Sequence, residues 1–208
     1  MNNKGLLAIA ASACLAMLSQ TPVSAKGFSY TYVEGGYTGV RADSADADGL
    51  AANLSFGATD YIMVLAGYSH LWQDKAEGFS SVDVQVDRFT IGGGGHYSIT
   101  DRIDLVGSVV YVNEQSTGKA KYPGDDSKSR INGTREGYEI GVSGRIRAMD
   151  KLELTPLAVY RNVGDYSDTG FGVDAIYTFY KDWSVRGNAT YFNDDSATNL
   201  FLGVRYDL

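Results

Sequence analysis

Apolar and polar residues alternate through ten stretches of this chain, at 28–40, 49–58, 62–72, 83–97, 103–114, 135–147, 152–162, 170–180, 183–193 and 198–208. A period of two is the signature of a β-strand, because successive side chains point to opposite faces. The closing stretch shows it well. Leu200, Leu202, Val204, Tyr206 and Leu208 share one face, and Gly203, Arg205 and Asp207 share the other. The same holds for Tyr138, Ile140, Val142, Gly144 and Ile146, for Leu152, Leu154, Pro156, Ala158 and Tyr160, for Phe171, Val173, Ala175, Tyr177 and Phe179, and for Trp183, Val185, Gly187, Ala189 and Tyr191. One face stays apolar in strand after strand while the other carries charge. That pattern predicts lipid outside and polar packing inside, and each stretch is long enough to cross a bilayer when tilted.

The connections alternate in kind. Short ones fall at 59–61, 98–102, 148–151 and 181–182; longer or more polar ones fall at 41–48, 73–82, 115–134, 164–169 and 194–197. Outer-membrane barrels put short turns on the periplasmic side and long loops outside. The expected fold is therefore all-β, a ten-stranded antiparallel up-and-down transmembrane β-barrel, with both ends of the barrel chain on the periplasmic side. Two stretches depart from simple alternation. The fourth runs in one phase over Val82, Val84 and Val86 and in the other over Phe89, Ile91 and Tyr97, which predicts a bulge near Asp87 and Arg88 or a strand rising above the membrane. Pro156 lies mid-strand, where it must forfeit a ladder bond or occupy a bulge.

Rings recur near the strand ends. Tyr138, Tyr160, Phe171 and Tyr191 lie toward the loops, and Tyr97, Phe179, Trp183 and Tyr206 toward the turns. Two aromatic girdles at headgroup depth fit this placement. Cross-strand pairing in a soluble barrel is the competing explanation.

The N-terminus changes the compartment. A short positive start at Lys4, an apolar run over 5–18, Pro22 and then Val23-Ser24-Ala25 form the pattern of a secretory signal peptide. Residues 1–25 are expected to be that signal and 26–208 the barrel. The single cysteine, Cys14, would leave with it, so no disulfide is expected. The formal charge of −7 argues against nucleic acid as a partner.

The inward face holds the candidate chemistry. Its acids are Glu34, Asp104, Glu114, Glu139, Glu153, Asp174 and Asp207, and its bases are Arg88, Arg145, Arg147, Arg161, Arg186 and Arg205. Every base within a strand is arginine; the lysines beyond the signal, at 26, 75, 119, 121, 128, 151 and 181, fall in turns, loops or the leading end. Arginine offers a planar fork for carboxylate pairing, where lysine offers a point charge. Ten strands enclose a bore that such pairs can fill. The set predicts either a structural network of charges or the selective lining of a narrow pore.

Catalysis is weakly encoded. His70 with Asp74 could form a rim hydrolase, but Ser69 points to the opposite face from His70 and no Gly-x-Ser-x-Gly elbow is present. Gly92 to Gly95 has no following helix and cannot form a phosphate loop. Asp43, Asp46 and Asp48 lack the distant glutamate of a calcium loop. No cofactor and no metal are expected.

Ser29-Tyr30-Thr31-Tyr32-Val33-Glu34, the acidic stretch 46–49, Leu65-Ala66-Gly67-Tyr68-Ser69, Ser167-Asp168-Thr169-Gly170-Phe171 and Leu202-Gly203-Val204-Arg205-Tyr206 together resemble the small outer-membrane β-barrels of gammaproteobacteria associated with diffusible-signal-factor regulation, and more broadly the OmpA-like transmembrane barrels. The resemblance implies an integral barrel of a Gram-negative outer membrane, assembled by the barrel machinery through its C-terminal strand. It implies no reaction. The expected protein is monomeric and non-enzymatic, in contact with outer-membrane lipid and lipopolysaccharide, with a narrow porin-like channel as the alternative. Lys119, Lys121, Lys128 and Arg130 make the third long loop basic among acidic ones, which suits lipopolysaccharide phosphates. On the wall itself, Val142→Arg is expected to be poorly tolerated and Ser143→Arg much better.

Overall fold

The computed structural model describes residues 28–43, 45–73, 81–121, 128–194 and 196–208. The proposed signal, Cys14, Lys26, Asp74 and Lys75 lie outside the described residues. Ten strands form one closed barrel: β1 (Tyr32–Ala42), β2 (Ala45–Gly57), β3 (Ile62–Gln73), β4 (Ser81–Thr100), β5 (Ile103–Lys121), β6 (Lys128–Met149), β7 (Leu152–Val163), β8 (Tyr166–Tyr180), β9 (Trp183–Phe192) and β10 (Ala197–Asp207). Each strand pairs with its sequence neighbours, and β1 pairs antiparallel with β10 to close the sheet. Closure leaves no open sheet edge across the apolar belt, the condition a bilayer imposes on strands.

Parity sets the two faces. Along β6, Tyr138, Ile140, Val142 and Ile146 are exposed while Glu139, Ser143 and Arg145 are buried. Along β10, Leu200, Leu202 and Val204 are exposed while Asn199, Phe201 and Arg205 are buried.

The long connections are shorter than the composition predicts. β5 and β6 stay paired to Lys121 opposite Lys128, so most of 115–134 is ladder and not loop. β1 and β2 pair to Ala42 opposite Ala45. The 164–169 connection shrinks to a turn at Gly164 and Asp165, with Gly164 at a φ of 62°, a left-handed conformation that glycine adopts without strain. Above the apolar belt the outward face of a strand meets water and no longer needs to be apolar, while backbone pairing continues. β4, β5 and β6 consequently run 20, 19 and 22 residues against 10 to 15 for the other strands, and they raise one side of the wall. Because β7 starts pairing at Val163 opposite Gly137, and the Gly164 N–H adds a bond to the Glu136 carbonyl at 2.9 Å, residues 128–135 of β6 have no ladder partner on that side.

β4 has no bulge at Asp87 and Arg88; its register with β5 is unbroken from Ser81 to Ser98. Val84, Val86 and Arg88 all point inward, and Asp83 and Gln85 outward, so the strand rises above the membrane instead of changing phase. Pro156 makes no bulge either. The β6–β7 register keeps its frame from Ser143 opposite Leu157 to Ile146 opposite Leu154, with the ladder interrupted between them, where Pro156 has no N–H to donate.

Candidate functional site

The inward arginines and carboxylates fall into three groups at different heights. In the upper group Arg88 on β4 bonds Glu114 on β5 at 2.9 Å and also Glu139 on β6. Beside it Arg161 on β7 reaches Asp168 on β8 at 3.2 Å, with its guanidinium 4.1 Å above the Phe192 ring. In the middle group Arg186 on β9 bonds Glu34 on β1 at 2.5 Å and Asp174 on β8 at 2.8 Å, and Asn53 on β2 adds a 2.8 Å bond to Glu34. In the periplasmic group Arg145 bonds Glu153, and Arg205 bonds Asp207 at 2.6 Å and lies 3.7 Å over Tyr32. Removing such ions from water is expensive, and only close pairing with carboxylates offsets the expense. Every arginine here has at least one carboxylate within reach except Arg147, whose contact among the described residues is the Phe28 ring at 5.0 Å.

The structure adds residues that the charge pattern alone did not single out. Asp168, read as part of a loop, is the partner of Arg161; the two stand opposite each other across the β7–β8 ladder once the turn is two residues long. Thr31 still accepts from the Leu208 N–H at 2.8 Å in the wall, and residues 28–30 leave it to cross the mouth at the short-turn end. Tyr30 donates its hydroxyl to Asp104 on β5 at 2.5 Å and stacks on His96 of β4 at 3.8 Å. The Ser29 carbonyl accepts from Arg145 on β6 at 3.0 Å and from Arg205 on β10 at 3.1 Å. The bore is also more apolar than a charge network implies. Met63 and Leu65 of β3, Val106, Val110 and Val112 of β5, Val159 and Val163 of β7 and Phe192 of β9 form one buried cluster with Phe28 and Tyr30.

On the outer face the eight girdle rings all point away from the bore. Tyr97, Tyr138, Tyr160, Phe171, Phe179, Trp183 and Tyr191 are exposed, and Tyr206 is half-covered by Trp183 at 4.8 Å. Tyr37, Tyr68, Phe89 and Tyr111 extend the upper ring, and Phe56, Tyr61, Tyr177 and Tyr180 the lower one. Just above the upper ring Asp48 accepts from Tyr37 and from Arg41 at 2.7 Å, which holds its carboxyl below the usual range. His70 meets Asp87 at 2.9 Å on the same outer face, while Ser69 is buried on the inner face, so the pieces of a hydrolytic site do not converge. No group of three or more acidic, histidine or cysteine side chains among the described residues has the geometry of a metal site.

The closed antiparallel barrel is a fold that solved structures share. The translocator domain of the autotransporter NalP from Neisseria meningitidis matches 99% of this chain and 94% of its own at a TM-score of 0.53 and 10% identity. The fold is that of an outer-membrane β-barrel. The beta domain of the Bordetella autotransporter BrkA matches 86% of this barrel chain and 100% of its own at a TM-score of 0.51 and 12% identity. The KdgM porin covers 85% of this chain and 99% of its own at a TM-score of 0.46 and 12% identity. No protein-family model and no curated protein matches the sequence.

Proposed function

We propose that the protein is a non-enzymatic, monomeric barrel of a Gram-negative outer membrane, closed to solute flow, that works through its outer surface. The observation that carries this reading is the crossing of the periplasmic mouth by residues 28–30, tied to β4 and β5 through Tyr30 and to β6 and β10 through Ser29. β1 and β6 stand on opposite sides of a ten-stranded ring, so these bonds span the bore. The apolar cluster on β3, β5, β7 and β9 supports the same reading, because ions do not pass packed valine and phenylalanine side chains.

The raised wall of β4–β6 is the proposed contact surface. Lys119 and Arg130 are cross-strand neighbours, both exposed, on the outward face above the aromatic ring. That face meets the sugar and phosphate layer of the outer leaflet, so lipopolysaccharide phosphates are the proposed partners. Two like charges directly opposite each other repel, and an anion between them would relieve the repulsion. Delivery by the barrel-assembly machinery through β10, and kinship with the small barrels associated with diffusible-signal-factor regulation, belong to the same proposal.

The test is conductance of the refolded chain in a planar bilayer, after a heat-shift gel has established folding. No steady openings are expected from the unaltered protein. Tyr30→Ala, which removes both the Asp104 bond and the His96 stack, is expected to give measurable, salt-dependent openings. Steady conductance of the unaltered protein would overturn the closed reading in favour of a narrow channel lined by the arginines and carboxylates.

A further inference from the structure

The mouth below the crossing segment contains a pocket that the ion-pair network does not explain. It encloses about 160 Å³ between β6, the turn at Asp150 and Lys151, and the inner faces of β7–β10, with Ser29 as its roof. Four cationic side chains reach it, Arg145, Arg147, Lys151 and Arg205, against three acids, Asp150, Glu153 and Asp207. Two of those acids are already engaged, Glu153 by Arg145 and Asp207 by Arg205. Donors are left over. Arg205 is 2% exposed, and its Nη1 is buried without an acceptor although Nε and Nη2 are bonded. Arg147 lines the same pocket with no carboxylate on its guanidinium, since its ladder partner Glu153 turns diagonally to Arg145. The half-buried guanidinium of Arg147 is the donor open to the pocket, and a charged acceptor entering there would gain a charge-assisted bond.

We propose that this pocket is a binding site for a small oxyanion taken from the periplasm, with Arg147 as its ligand, Lys151 at its entrance and the buried Arg205 adding positive charge behind it. The shared chemistry is a compact group of two or more oxygens bearing negative charge, which matches the fork of a guanidinium. The pocket, about 160 Å³, has room for a compact anion such as inorganic phosphate or a short carboxylate. The site does not depend on whether the bore conducts, because it lies below the crossing segment and opens to the periplasmic side.

The experiment is titration of the refolded protein in detergent micelles with inorganic phosphate, and separately with acetate, at constant ionic strength held by chloride. Binding is read by calorimetry and by the width of the phosphorus resonance. Saturable binding of one anion per barrel is expected. Arg147→Gln is expected to weaken it by at least about tenfold, the loss of one charge-assisted bond. Among the described residues that variant removes no side-chain hydrogen bond or ion pair, so its heat-shift mobility should match that of the parent. Arg147→Lys, which keeps the charge and loses the fork, is expected to fall between the two. Phosphate binding with weak acetate binding, or the reverse, identifies the anion class. Absence of saturable binding in both titrations, or unchanged affinity in Arg147→Gln, overturns the proposal.

Discussion

Arg186→Ala is expected to destabilise the folded barrel by about 3–5 kcal/mol, read as a lower denaturant midpoint for loss of the heat-shifted band. Arg186 is fully buried and stands between Glu34 on β1 and Asp174 on β8, so it ties together strands on both sides of the β1–β10 seam. Removing it leaves two carboxylates buried and close together with no cation between them. Replacing the whole group behaves differently. Arg186→Met combined with Glu34→Gln and Asp174→Asn removes all three charges and keeps most of the volume, and it is expected to recover the larger part of the loss. Recovery would mean that the single substitution is costly because of the orphaned carboxylates and not because the network is intrinsically stabilising. A loss under about 1 kcal/mol in Arg186→Ala would place the group in wet, screened surroundings, like a surface pair.

The barrel was legible in the sequence because its two faces are under opposite chemical demands over the whole membrane thickness. Val142 and Ser143, or Val204 and Arg205, cannot exchange faces without a one-residue slip that would invert every neighbour. Where those demands stop, legibility stops. Above the aromatic ring the outward face is wet and polar, and residues 115–121 and 128–134 read as loop although the ladder runs on to Lys121 and Lys128. Asp168 was lost for the same reason, since its strand begins at Tyr166 in a polar stretch. The inner groups pose a different difficulty. Parity places Arg145, Arg147 and Glu153 inside but does not choose between partners two residues apart, and Glu153 takes Arg145 over its ladder neighbour. Residues 28–30 read as the start of the first alternating stretch although they cross the mouth, because three residues are too few to show a departure from the period.

Depth along a single strand provides the second large effect. Val142 sits on the lipid face of β6, between the girdle ring Tyr138 and Ile146, and more than half of its surface is exposed to the bilayer. Val142→Arg is therefore expected to cost about 2–4 kcal/mol, the range for arginine near the bilayer midplane. Ser143→Arg is not the mild comparison that alternation alone suggests. Ser143 is buried, and its ladder neighbours Val106 and Leu157 belong to or pack against the apolar cluster that fills the bore. A guanidinium there meets packed valine and leucine with no carboxylate assigned to it, so a loss comparable to that of Val142→Arg is expected. The informative control lies on the same outer face but higher. Thr134 is exposed eight residues above Val142, beyond the aromatic ring, where the wall is bathed by water and headgroups. Thr134→Arg is expected to change stability by no more than about 1 kcal/mol, as arginine does near an interface. Denaturant midpoints in lipid vesicles measure all three. Equal losses at positions 134 and 142 would mean that the apolar belt does not end at Tyr138, and the assignment of the raised wall to the outside of the membrane would fall with it.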